Sequence, residues 1–436
     1  MNFRQKRKRC RRRRDTPHGK RRNKARGSVR REQFNMKKID KKEHGIYIHQ
    51  TEHGPHYFIV VYFYKTPADW AASLRYLDGE LETLLGEKKA QVVHERWFGS
   101  AASLALIEKE KLLQHKGQKS GLHSCVTPII GMPCAGTSGD ACEGFAGIQI
   151  QALIPQDGVS TPEPIPSLDE KGVQGHKWQE GDARFFILQN LCDLEHPQSN
   201  TQQTTEALHR AEALLKKEGL DYHSVARTWI YLDDILSWYT PFNGARSAFY
   251  RQVGIMPDIE KNEKTPPSEC FLPASTGIRG RNQNGAACTI DLIASDIPEK
   301  SAFKVRRLTN RKQKDAFRYG AAFARALVLE TPRYLQVQIS GTAAIDETGS
   351  SIFQGDTEAQ IRYTLDTIEV LIAEAGFKLT DISSATAFLK DEKALPLFLR
   401  IMEERGLADL PMVICKADVC RDDLLFELDG VAGKNL

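Results

Sequence analysis

The sequence predicts an α+β fold made of three successive copies of one module, each a small β-sheet with two helices on one face. Three observations predict it. One order of elements (strand, amphipathic helix, strand, helix or loop, closing strand) recurs three times along the chain, and an internal repeat is stronger evidence of architecture than local propensity. The strand segments alternate apolar and polar residues with a period of two. The helical segments space their apolar residues three and four apart, the stripe a helix needs to lie on a sheet face.

The first copy spans 45–155. Tyr57 to Phe63 reads as a strand, Ala68 to Leu85 as a helix, Gln91 to Trp97 as the next strand, and Gly147 to Ile154 as the closing strand. The second, 173–296, runs from the strand Phe185 to Leu188 through helix 203–219, strand Val225 to Tyr231 and helix 236–251. It closes on Ala287 to Ile293. In the third, 302–434, Leu335, Val337 and Ile339 alternate with Gln336, Gln338 and Ser340, and Gly341 follows where the strand turns. Helix 357–375 places Ile361, Leu365, Ile368, Leu371 and Ile372 on one stripe, and Gly376 ends it. Strand Ser383 to Leu389, helix 395–405 and strand Leu424 to Gly430 complete the module. The Pro-rich stretch Pro155 to Pro166 and the polar stretch 297–302 read as linkers.

With 41% hydrophobic and 27% charged residues the composition is that of a folded, water-soluble chain. No run of about eighteen apolar residues is present, and no apolar core follows the charged N-terminus, so neither a membrane span nor a secretory signal is expected. The nine cysteines are scattered and form no Cys-x-x-Cys, which indicates neither a disulfide framework nor a zinc ribbon and points to a reducing cytoplasm. The net charge of +5 conceals an imbalance. Residues 1–35 hold sixteen Lys or Arg against Asp15 and Glu32, a local +14 that leaves the remainder at −9. Residues 1–44 are therefore expected to be a basic disordered arm. Three readings of the arm stand open: a natural start at Met36, a solvated tail, or phosphate-binding contact with nucleic acid. The acidic remainder speaks against nucleic-acid binding by the folded body.

At the level of motifs, the third copy resembles a Rid (YjgF-like) domain. The resemblance rests on Ile339-Ser340-Gly341-Thr342-Ala343-Ala344-Ile345-Asp346, Gly355-Asp356-Thr357-Glu358-Ala359-Gln360, Thr386-Ala387-Phe388-Leu389 and Phe426-Glu427-Leu428-Asp429-Gly430-Val431-Ala432. Copies two and three together resemble the Rid-related chorismatases of the 3-hydroxybenzoate type. The carrying residues are Arg227 to Leu232, Phe242 to Tyr250, Ser340 to Ala343, and Cys420-Arg421 ahead of Leu425-Phe426-Glu427. Because Rid domains are normally homotrimers with clefts between subunits, the resemblance implies three modules in an intrachain pseudo-trimer and a monomeric chain. Rid imine deaminases hold their substrate carboxylate with an Arg two residues after a Pro. Pro273-Ala274-Ser275 and Pro411-Met412-Val413 lack it, so imine deamination is not expected. The chorismatase pattern departs too, at Ile230 and at Ile235-Leu236.

The resemblance implies a site for a small carboxylate between copies two and three. Chorismate is a dicarboxylate enol ether, so cleaving off pyruvate needs a proton donor at the vinyl carbon and cations for the carboxylates. Glu427, set among Leu425, Phe426 and Leu428, is the candidate acid, since desolvation raises a carboxyl's pKa; the plain alternative is a Glu on an exposed strand edge. Arg227 and Arg246 offer the planar fork that carboxylates favour and Tyr231 a hydroxyl, the alternative being structural salt bridges. The resemblance adds Gly341 and Ala343 as substrate contacts. Cys420, seven residues before Glu427, matches the chorismatase variant in which a Cys accompanies aromatisation; otherwise it is a small buried hydrophobe. No metal and no cofactor is expected: His123, Cys125, Cys134 and Cys142 match no zinc spacing, and Gly277-Ile278-Arg279-Gly280-Arg281 reads as a strand-to-hairpin turn, not a phosphate loop. Two functions stand: a chorismatase-like enzyme that releases pyruvate, or a catalytically silent binder of small carboxylates.

Overall fold

The computed structural model describes residues 36–65, 69–107, 125–130, 145–256, 271–281, 284–309, 316 and 321–436. Most of the basic arm, with His123, Cys134 and Cys142, lies outside the described residues. Module 1 consists of β1 (Lys37–Lys41), β2 (Ile46–His53), β3 (His56–Phe63), α1 (Trp70–Lys88), β4 (Gln91–Gly99), α2 (Ala101–Ile107), β5 (Thr127–Ile130) and β6 (Phe145–Leu153). Module 2 consists of β7 (Glu163–Pro166), β8 (Val173–Glu180), β9 (Ala183–Cys192), α3 (Asn200–Lys217), β10 (Val225–Leu232), α4 (Ile235–Gln252), β11 (Ala274–Arg279) and β12 (Cys288–Asp296). Module 3 consists of β13 (Lys304–Leu308), β14 (Ala326–Glu330), β15 (Tyr334–Ala343), α5 (Thr357–Ala373), β16 (Ile382–Leu389), α6 (Leu395–Glu404), β17 (Met412–Lys416) and β18 (Phe426–Asn435).

Each module forms a six-stranded sheet with one strand order: first, second, third, sixth, fourth, fifth. Only the fourth and fifth strands run parallel, because a helix crosses between them. The closing strand lies inside the sheet, flanked on both sides. Local sequence explains the elements. Asp356 caps α5 by accepting from the Ala359 amide at 3.0 Å, and Ile361, Leu365, Ile368, Leu371 and Ile372 are all buried. Burying each contributes about 1.5–3 kcal/mol. Ser199 caps α3 and Asp69 caps α1 in the same way.

The sheets are larger than the repeat pattern indicated. β1 lies inside the stretch 1–44 assigned to the arm, and β7 lies inside the Pro155–Pro166 linker. The segment 277–281, read as a hairpin turn, contributes instead to β11, an edge strand parallel to β10. These strands are short and at or near an edge, so they carry too few buried positions to show a period.

The modules close into a ring. β5 of module 1 lies against β9 of module 2, β11 of module 2 against β15 of module 3, and β17 of module 3 against β3 and β6 of module 1. Helices cover the outer faces, and the inner faces of all three sheets meet around one centre, where Val60 and Phe98 of module 1 and Trp229, Tyr231 and Ile278 of module 2 join one core, and Gln338 and Asp429 of module 3 lie beside Arg96 and Trp229. The centre also holds charge: the Arg96 and Arg227 guanidinium carbons sit 4.3 and 4.4 Å from the Trp229 ring centroid. Among the described residues no helix is long and apolar enough to cross a membrane.

Candidate active site

A cavity of about 130 Å³ opens where module 2 meets module 3. Module 2 lines it with Tyr239, Asn243 and Arg246 from α4 and with Ser275 and Gly277 from β11. The α4 residues are four and three apart and so share one helix face. They follow a break at Trp238 (φ −145°, ψ 17°), ahead of Pro241, which could not continue a helix begun at Ile235 without one. Module 3 supplies Phe323, Arg325, Gly341, Ala343, Ile345, Cys420, Arg421 and Glu427.

Glu427 sits on β18 opposite Ala343 of β15 and Phe388 of β16, so it lies in mid-sheet and not on an exposed edge. It is buried, and its pKa is pushed up to about 8, first by burial and then by the Asp429 charge; the Arg227 and Arg325 charges offset part of this. The carboxyl is packed against Gly341 at a bulge in β15: a Cβ there would lie 2.1 Å from Glu427 Oε1. A side chain at 341 would therefore have to push the Glu427 carboxyl out of this place. Cys420 is a free thiol whose pKa is pushed up to about 12 by burial and then by the Glu427 charge, so it is uncharged at neutral pH.

Three guanidinium groups line the cavity. Arg246 is buried, donates from Nη2 to Asn243 Oδ1 at 2.7 Å, and leaves Nε without a partner among the described residues. Arg325 is buried with its guanidinium carbon 5.3 Å from the Phe323 ring centroid. Arg421 donates from Nη1 to Gly349 O at 2.9 Å and Ser351 Oγ at 3.3 Å, tying down the loop after β15.

The structure thus brings Glu427, Cys420, Arg246, Gly341 and Ala343 to one cavity. Arg227 and Tyr231, expected as substrate contacts, do not line it. Arg227 Nη2 donates to Asp429 Oδ2 at 3.0 Å and to Thr276 Oγ1 at 2.7 Å, and the Tyr231 hydroxyl accepts from Arg96 Nη1 at 3.1 Å. Both side chains face the crowded centre, where Arg96 and Trp229 lie against them. Sequence reasoning missed Tyr239, Asn243, Ser275, Arg325 and Arg421. The first two were legible from their helical spacing to Arg246. Ser275 stands where the deaminase Arg was sought, so the cations of this cavity come from other elements. Among the described residues no group of His, Cys, Asp and Glu could hold a metal ion.

Residues 323–432 match the family model described as Endoribonuclease L-PSP. The chain is 29% identical over 325 residues to a 3-hydroxybenzoate synthase from Streptomyces hygroscopicus, covering 66% of this chain and 86% of that one. It is 30% identical over 97 residues to the 3-aminoacrylate deaminase RutC of Acinetobacter baylyi, covering 22% of this chain and 77% of the relative. A chorismatase crystal structure shares the fold, with a TM-score of 0.51 and 17% identity over 78% of this chain and 93% of that one.

Proposed function

The chain belongs to the Rid superfamily and is chorismatase-like, and from that premise we propose that it cleaves the enolpyruvyl ether of chorismate or a closely related small carboxylate and releases pyruvate. The observation that carries this reading is a buried carboxyl, Glu427, that keeps its proton near neutral pH in a cavity lined by Arg246, Arg325 and Arg421. In this reading Glu427 gives its proton to the methylene carbon of the enolpyruvyl group, and the ether oxygen stabilises the resulting oxocarbenium ion. Water adds at that carbon and returns a proton to Glu427; the hemiketal then collapses, its hydroxyl proton passing to the ring oxygen as that carbon–oxygen bond breaks, and pyruvate leaves. The guanidinium groups hold the carboxylates, which are stripped of water on entry. The uncharged Cys420 beside the acid, together with the name of the Streptomyces hygroscopicus relative, supports an aromatic hydroxybenzoate as the second product.

Incubation with chorismate, with pyruvate followed by a coupled dehydrogenase, tests the reading. Glu427→Gln keeps shape but has no proton to transfer, so turnover is expected to fall by about a hundredfold or more while binding persists. Binding of small carboxylates without pyruvate release from the unmodified protein would replace the enzyme with a silent carboxylate-binding protein.

A further inference from the structure

Beside Glu427, and outside the lining of its cavity, lies a polar cluster that the proposed reaction does not use. Thr276 of β11 donates its hydroxyl hydrogen to Asp429 Oδ2 at 2.7 Å and accepts from Arg227 Nη2 at 2.7 Å and from the Gly341 amide at 3.1 Å. Arg227 Nη2 also reaches Asp429 Oδ2 at 3.0 Å. Arg227 and Thr276 belong to module 2, Asp429 and Gly341 to module 3, so the cluster bridges the two walls of the cavity. It is fully enclosed: Arg227 is 0%, Thr276 1% and Asp429 1% exposed. One end holds Gly341, the residue against which the Glu427 carboxyl rests; the other places a carboxylate two residues from Glu427 along the same strand.

Resting on the reading of Glu427 as the acid, we propose that Arg227, Thr276 and Asp429 form a positioning cluster that fixes both the place and the protonation of Glu427. A buried ion pair is a poor source of stability compared with apolar packing, because desolvation cancels much of the attraction. Its geometry here provides a fixed negative charge beside an acid that must stay neutral. The other charged or titratable groups around Glu427 are Arg246 and Tyr239 from α4, Arg325 ahead of β14, and Cys420 and Arg421 ahead of β18. Those cations favour the ionised form of Glu427. Asp429 is the anion that opposes them, and Thr276 with Arg227 holds it in place.

The test reads Glu427 itself, apart from turnover. The carboxylic C=O infrared band of the full chain is followed against pH and assigned by its loss in Glu427→Gln. Asp429→Asn keeps shape and removes the negative charge, so the Glu427 titration is expected to move down by about one pH unit or more. Thr276→Val removes the hydroxyl without removing charge and is expected to broaden the band and lower turnover more than affinity. Arg227→Met serves as the sign control, moving the midpoint up where Asp429→Asn moves it down; a merely structural role gives no such opposition. An unchanged Glu427 midpoint in folded Asp429→Asn overturns the inference even if the protein releases pyruvate. A shifted midpoint in a protein that releases none keeps the cluster and removes the chorismatase reading.

Discussion

Raising the pH from 7 to 9 is the simplest perturbation of the proposed acid, and the structure sets its size. A free Glu titrates near 4.5, whereas Glu427 is pushed up to about 8. The difference corresponds to about 5 kcal/mol in favour of the neutral carboxyl. At pH 7 about nine-tenths of the molecules then carry the proton, and at pH 9 about one-tenth, so kcat/KM should fall roughly tenfold between them. An unshifted carboxyl would be protonated in only about 0.3% of molecules at pH 7, and the rate would already fall tenfold per unit from about pH 5 upward. Initial rates of pyruvate release in overlapping buffers from pH 5 to 10 separate the two. The same shift has a signature in stability. Because the folded pKa lies above the unfolded one, the native state binds the extra proton between about 4.5 and 8. This contribution is fully present below 4.5 and is lost as the pH rises to 8. A rate profile with its basic limb near pH 5 would refute the assignment of Glu427 as a neutral acid held by burial and Asp429.

Other expected outcomes follow from single contacts. Gly341→Ala places a methyl 2.1 Å from Glu427 Oε1; turnover should fall about a hundredfold through misplacement of the acid, with an overpacking cost of about 1–3 kcal/mol seen in the melting curve. Arg246→Ala should weaken carboxylate binding by about 2 kcal/mol or more, read by titration calorimetry. Buried His49, with both ring nitrogens unpartnered among the described residues and its pKa lowered to about 4 by burial and then by Lys38, is neutral in the native state. Stability is therefore lost as the pH falls below about 6.5, and urea unfolding of His49→Gln should lose about 2 kcal/mol less than the unmodified protein between pH 7.5 and 5.

The elements that pack helices onto sheets were legible because burial imposes a period on them: α5 and β15 lie close to where the alternation and the stripe put them. The edge strands were not. β1 reads Lys-Lys-Ile-Asp-Lys and is held by backbone pairing to β2, a contact that leaves no mark on side-chain pattern. In the site, Glu427 and Arg246 were found through motif, and both line the cavity. Arg227 was misplaced for a physical reason: an Arg on a strand beside Trp and Tyr looks the same from sequence whether it faces a ligand or an internal aspartate. Asp429, its partner, is 202 positions away. Arg325 was missed because it precedes β14, a strand whose pairing with β15 could not be read locally.

The three interfaces of the ring begin from one plan and differ in chemistry, which explains why the acid-bearing cavity lies between modules 2 and 3. By register, Glu427 corresponds to Thr289 in module 2, which pairs with Cys192 and Tyr231, and to Gly147 in module 1, which pairs with Tyr62 and Phe98. Neither counterpart can supply a proton to carbon. At the interface of modules 1 and 2 the Arg227–Asp429–Thr276 pattern survives as His94, Asp291 and Thr127, with His94 Nε2 2.9 Å from Asp291 Oδ2 and Thr127 Oγ1 donating to Asp291 Oδ1 at 2.7 Å. At the interface of modules 3 and 1 it is gone. Gln149 takes the place of the aspartate and donates to Ala385 O at 2.7 Å, while a Cβ on Gly147 would meet Val61 O at 2.1 Å and the Val413 side chain at 2.9 Å. A homotrimer must repeat one interface three times, so any buried carboxyl introduced for catalysis carries its desolvation cost three times over. Three modules on one chain lift that constraint: two interfaces can be packed for adhesion, and a single one can hold the buried carboxyl on which the proposed chemistry depends.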